Sequence, residues 1–117
     1  MVEAVDTAGD VGTCTALVIG SDDAIHLSYY AITDRALRYA VQTDGSWSIE
    51  DAITGKRVYG TTALALDAQQ VPHLCYYDLT RYDTWYLQYA HRTNRGWTTE
   101  VVDPDPVSYT HLRAHET

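Results

Sequence analysis

The chain has 117 residues, the span of one ordinary domain, and its 45% hydrophobic and 21% charged content is that of a globular protein, not of a disordered, collagen-like or low-complexity chain. Eight Lys plus Arg against sixteen Asp plus Glu leave a net charge of −8, which repels nucleic acid and anionic membrane surfaces. Ten Tyr, three Trp and no Phe favour strands over helices, so an all-β fold is expected.

In chain order, period-2 patterning predicts strands at residues 15–19, 25–30, 37–42 and 47–53, then at 62–66, 73–77, 86–91 and 97–102. Turn residues separate them: Ser21-Asp22-Asp23, Thr43-Asp44-Gly45-Ser46, Asp67-Ala68-Gln69-Gln70 and Thr93-Asn94-Arg95-Gly96. Asp44-Gly45 and Arg95-Gly96 are expected to supply the positive φ angles of tight hairpins. The longest apolar stretches, such as residues 16–19, fall far short of the roughly 18 that a membrane span needs. The opening MVEAVD lacks the basic-then-apolar layout of a signal peptide, so neither membrane insertion nor export is expected to be encoded in this segment.

The two sets of strands are copies of each other. TALVIGSDDAIHLSYY, from Thr15, aligns with TALALDAQQVPHLCYY, from Thr62, at a constant offset of 47. Beyond it the offset becomes 50: LRYA at Leu37 pairs with LQYA at Leu87, Trp47 with Trp97, and Glu50 with Glu100. Residues 2–6, VEAVD, match TTEVVD at Thr98, and so are predicted to form the last strand of a preceding copy. Repeating four-stranded antiparallel meanders of about 40–50 residues are the signature of a β-propeller blade. The organisation predicted is a trailing strand at 2–6, blades at 14–53 and 61–103, and a non-repeat tail at 104–117.

TALALD, PHLCYYD, LQYA and GWTTEVVD resemble the blades of bacterial secreted or cell-surface propellers in the kelch-like and sialidase-like neighbourhood. The resemblance implies an extracellular binding or scaffold role, without fixing a ligand. Two copies are fewer than the about four to eight blades of a closed ring, so the remaining blades are expected from a longer chain or from homo-oligomerisation. The tail PDPVSYTHLRAHET does not continue the period, and its end resembles translated sequencing-adaptor read-through; a native strand at VSYTHL is the competing reading.

Residues that recur in both copies serve what each blade needs, and residues that differ are freer to serve a local site. By that test His26 and His73 are structural, each satisfying a backbone or hydroxyl partner in a half-buried sheet. Tyr29-Tyr30 and Tyr76-Tyr77 place one ring on each face of a blade, because successive strand residues point opposite ways. Tyr39 with Tyr89 and Trp47 with Trp97 read as inter-blade packing, in preference to sugar-stacking platforms. Glu50 and Glu100 read as solvated or hydrogen-bonded edge carboxylates. Cys14 and Cys75 form no CxxC or Cys/His metal spacing and are expected as separate thiols.

The largest difference between copies is the second-to-third strand connection of the second copy, residues 78–85. In a meander this loop shares a rim with residues 6–12 and 54–60. Tyr59, Arg81, Tyr82, Asp83 and Trp85 are the predicted ligand-binding residues there, since exposed rings beside Arg and Asp suit a sugar or a protein surface. A solvated loop whose Trp85 folds back onto the sheet is the rival reading. No nucleophile elbow, phosphate loop or metal motif is found, so no catalytic residue, metal or cofactor is assigned. Thr43-Asp44-Gly45-Ser46-Trp47 only echoes the Asp-box turn of sialidase-like propellers, with the wrong Asp-to-Gly spacing. The expected function is non-catalytic binding or scaffolding of a glycan or protein. The alternatives are a glycosidase fragment whose catalytic residues lie in other blades, and a lectin-like short-repeat protein that closes a ring from several chains.

Overall fold

The computed structural model describes residues 4–7, 9, 11–79, 84–102 and 107–108, and these form an all-β structure. Four antiparallel strands, β1 (Val11–Ile19), β2 (Ile25–Ala31), β3 (Ala36–Thr43) and β4 (Ser46–Thr54), make sheet one in the order β1-β2-β3-β4. Sheet two repeats that order with β5 (Val58–Leu66), β6 (Pro72–Asp78), β7 (Thr84–Thr93) and β8 (Gly96–Val101). A two-residue strand, β9 (Val107–Ser108), pairs with β7 at Thr84 and Trp85, beyond the reach of β8. Of the trailing strand expected at residues 2–6, residues 2 and 3 lie outside the described residues, and Ala4, Val5 and Asp6 carry no strand.

The two copies agree in detail. The β1–β2 ladder slips between Val11 and Ala16, and the β5–β6 ladder slips at the corresponding place between Tyr59 and Ala63. Asp23 and Gln70, 47 residues apart, both adopt φ 65 in the first turn of their sheets. There the Asp67 carboxylate accepts from Gln69 N and Val71 N and fixes the turn locally. The second hairpins differ. In sheet one Asp44 and Gly45 both take positive φ, as a two-residue primed turn requires. In sheet two Gly96 alone takes it, at φ 113, and Thr93 closes the turn by accepting from Arg95 N. Arg95 itself does not supply the expected positive φ, because Gly96 beside it absorbs the twist at no Cβ cost.

The sheets pack face to face. One buried cluster joins Tyr30, Leu37 and Ile53 of sheet one to Val58, Leu74, Tyr76 and Ala90 of sheet two, with Leu64 and Trp97 packed against it. Burying each such side chain is worth about 1.5–3 kcal/mol, so this seam is the main hydrophobic stabilisation. Strand alternation fixes which residues face it. His26, Ser28, Tyr30, Leu37 and Tyr39 share the inner face of sheet one, whereas Leu17, Leu27, Tyr29 and Ala40 share its outer face. In sheet two Leu64, Leu74, Tyr76 and Ala90 point inward, and His73, Cys75, Tyr77, Leu87 and Tyr89 lie on the outer face. Each Tyr-Tyr pair therefore does divide between the two faces of its sheet.

Candidate functional site

The β2–β3, β4–β5 and post-β6 connections gather at one end of the sheets, as an antiparallel meander dictates, with the β1–β2 and β3–β4 hairpins at the other. Gly55 N donates to Arg35 O at 2.9 Å, and Leu79 N donates to Arg57 O at 2.7 Å, tying the β2–β3, β4–β5 and post-β6 segments into a common rim. Of the predicted binding residues, Arg81, Tyr82 and Asp83 lie outside the described residues. Tyr59 stands in β5 opposite Tyr77, and Trp85 in β7 opposite Val107, with only their backbones described.

What the rim does contain is a buried arginine with three carboxylates. Arg38, on β3 and 9% exposed, donates from Nη1 to Asp6 Oδ2 at 3.0 Å, from Nε to Asp51 Oδ1 at 2.9 Å and from Nη2 to Asp34 Oδ2 at 2.5 Å. Tyr29, opposite Arg38 on β2, donates its hydroxyl to the same Asp6 oxygen at 2.7 Å. The planar fork of a guanidinium matches several carboxylates at once, and the three bonds hold Arg38 firmly in its charged form. Burial, reinforced by the bond to Asp6, pushes the Tyr29 phenol well above its ordinary value, so it stays a proton donor. The next blade position is built differently. Gln88 stands where Arg38 does, and donates to Asp78 Oδ2 at 3.1 Å, while Lys56 Nζ approaches that same oxygen at 3.6 Å.

Beside the Arg38 cluster a groove of about 220 Å³ opens on the outer face of sheet one, walled by Val5, Asp6, Val11, Thr15, Leu27 and Tyr29. Its walls are chiefly aliphatic and aromatic, with the Asp6 carboxylate at one end already bonded by two donors. Around it the outer face is apolar: Leu17 is 60% exposed, and Ile19 and Ile49 are exposed as well. A shallower groove of about 170 Å³ lies on the outer face of sheet two against Ala63, Ala65, His73, Cys75 and Tyr89.

Each of the repeated histidines meets a tyrosine hydroxyl of its own sheet. His26 Nδ1 lies 2.5 Å from the Tyr39 hydroxyl, and His73 Nδ1 lies 2.7 Å from the Tyr89 hydroxyl. His73 also meets Asp67 Oδ2 through Nε2 at 3.0 Å. Burial lowers the pKa of His26 despite the opposing pull of Asp22, and raises Tyr39 to about 12. His26 is therefore neutral near pH 7. Tyr39 then meets Trp97 of sheet two edge-on, with ring centroids 5.6 Å apart, so the His–Tyr pair orients an inter-sheet contact. Glu50 is an ion-paired edge carboxylate, bonded to Arg92 Nε across the sheets at 2.9 Å. Among the described residues no group of three or more His, Cys, Asp or Glu side chains converges as a metal site would require. Cys75 is a free, half-buried thiol whose pKa is raised by burial.

Sequence reasoning placed the rim but missed its best-defined cluster. Arg38 differs from Gln88 within the otherwise matching LRYA and LQYA, and that difference is the sequence signal that could have found the cluster. No protein-family model and no curated protein matches the chain.

Proposed function

We propose that the chain is a pair of blades of a β-propeller and acts as a non-catalytic binding or scaffold module of a secreted or cell-surface protein. The observation that carries this reading is the repetition of one four-stranded meander with the same strand order, the same bulge and the same His–Tyr pair, each copy stacked face to face on the other. Stacked meanders put their connecting loops on a common rim, and loops on a rigid scaffold are where ligand contacts concentrate. Here the rim holds a fixed arginine–carboxylate cluster whose Asp34 and Asp51 side chains are exposed, which suits the hydroxyls of a glycan or the polar groups of a protein surface. The carboxylates are spent on Arg38, an arrangement that shapes a surface instead of moving protons.

Glycan-array binding of the chain, repeated with Tyr82→Ala and Trp85→Ala, tests the reading. Truncating an aromatic anchor typically costs 1–2 kcal/mol or more, so each variant is expected to weaken binding about tenfold. Binding that survives both substitutions removes the rim as the ligand site.

A further inference from the structure

We propose that the two outer sheet faces are the two halves of a single interface, through which a second copy of this chain docks head to tail on the first. The proposal rests on the blade-repeat reading above and names the partner. Its basis is that both halves of that interface are already seen joined once, inside the chain.

At the internal seam, sheet two offers Val58, Leu74 and Tyr76, and sheet one inserts Tyr30 and Leu37 among them. Stepping back 47 residues from Val58, Thr62, Leu74 and Tyr76 gives Val11, Thr15, Leu27 and Tyr29. Those four are walls of the open 220 Å³ groove on sheet one. The groove is thus the counterpart of the socket that Tyr30 and Leu37 fill. The counterparts of the filling residues are Tyr77, 47 residues beyond Tyr30, and Leu87, 50 beyond Leu37. They pair with each other across β6 and β7 on the outer face of sheet two. The edge-on contact of Tyr39 with Trp97 has its counterpart in Tyr89 of one copy against Trp47 of the next.

Tyr29 is already covered by Asp6 and is 4% exposed, and the exposed part of this face lies toward Leu17. Leu64 packs against the core, whereas its counterpart Leu17 is 60% exposed; the residue type and strand position are the same, and only the covering sheet differs. The Asp6 carboxylate beside the groove already accepts from Tyr29 and Arg38, so an entering side chain strands no bare charge. One element is lost. The Glu50–Arg92 ion pair becomes Glu100 facing Gln42, which makes the contact between copies weaker than the seam within one. Because outer face one meets outer face two, the contact is heterologous and ends in a closed ring or an open filament according to its rotation.

The test is the mass in solution, by light scattering or sedimentation, of the wild-type chain and of one blocked variant per face. Leu17→Arg blocks the face of sheet one and Ala63→Arg that of sheet two; both side chains are exposed, so the fold is spared, and circular dichroism verifies it. The wild-type mass is expected to rise with concentration. Each variant alone is expected to lose that rise and remain monomeric, while an equimolar mixture, with one good face on each partner, forms a 1:1 dimer and stops. Ile19→Arg and Ala65→Arg form a second pair should either first variant lose its strand signal. A wild-type chain that stays monomeric throughout, a single variant that assembles like wild type, or a mixture that stays monomeric overturns the proposal. Glycan binding by the monomeric Leu17→Arg chain reads the rim alone, so failure of the assembly is told apart from failure of the binding reading.

Discussion

Replacing Leu74 with alanine tests whether the inter-sheet seam is the main hydrophobic core. Leu74 is 1% exposed and lies in the cluster formed by Tyr30, Leu37, Val58 and Tyr76, two sheets thick. Leu→Ala in a closed core costs about 2–5 kcal/mol, from lost transfer energy plus the cavity left behind. The rigid strands on both sides limit collapse, which places the expected loss near 3 kcal/mol. With a urea m-value of about 1.5 kcal/mol per M, that loss lowers the unfolding midpoint by about 2 M. The control is Leu17→Ala, an exposed leucine on the outer face, for which a change within about 0.5 kcal/mol is expected. Both are measured by tryptophan fluorescence in the Ala63→Arg background, so that self-association does not add to either. Equal midpoints for the two variants, or a shift under about 0.3 M for Leu74→Ala, refute a core seated between the sheets.

The Arg38 cluster makes a second prediction. Arg38→Met leaves Asp6, its side chain 9% exposed, without its cation, and unfolding in urea is expected to show a loss of about 3–5 kcal/mol, part of which Asp6→Asn restores in the double variant. A third concerns pH. Burial holds the folded His26 below its ordinary pKa of about 6.5, so the unfolded chain binds the proton first and stability falls as pH drops below about 6.5. His26→Gln is expected to reduce that slope by up to ~1.4 kcal/mol per pH unit, measured as urea midpoints at successive pH values. An unchanged slope shows that His26 titrates as freely in the fold as out of it.

The strands of the two sheets were legible because a meander with one face buried must alternate, and each of the eight period-2 runs falls within an observed strand except at the C-terminal end of the last, where β8 closes at Val101. The misjudged starts have a common cause. β1 begins at Val11 and β5 at Val58, four residues before the alternation at Thr15 and Thr62, because the ladder slips there and the period-2 signal fails over Val11-Gly12-Thr13-Cys14 and Val58-Tyr59-Gly60-Thr61. The role of Asp6 was not legible, since its partner Arg38 is 32 residues away and becomes a neighbour only through the sheet. The hydroxyl partner of His26 was easier to foresee: the same His–Tyr combination occurs twice, and a half-buried imidazole needs one.

Identical residues nevertheless sit in different surroundings in the two copies, and that contrast is where sequence ends and assembly begins. Tyr29 and Tyr76 are the same element of the repeat. Tyr76 lies in the core against sheet one, while Tyr29 is turned to Asp6 on a face no other sheet covers among the described residues. A repeat encodes one contact twice over, as a socket on one side of each sheet and a plug on the other. Two stacked sheets satisfy one plug and one socket, and among the described residues no further sheet covers the other plug or the other socket. An apolar surface built as half of a known contact is matched by the other half more closely than by any unrelated partner. The remaining socket, around Leu27 and Tyr29, and the remaining plug, Tyr77 with Leu87, therefore select each other before they select anything else.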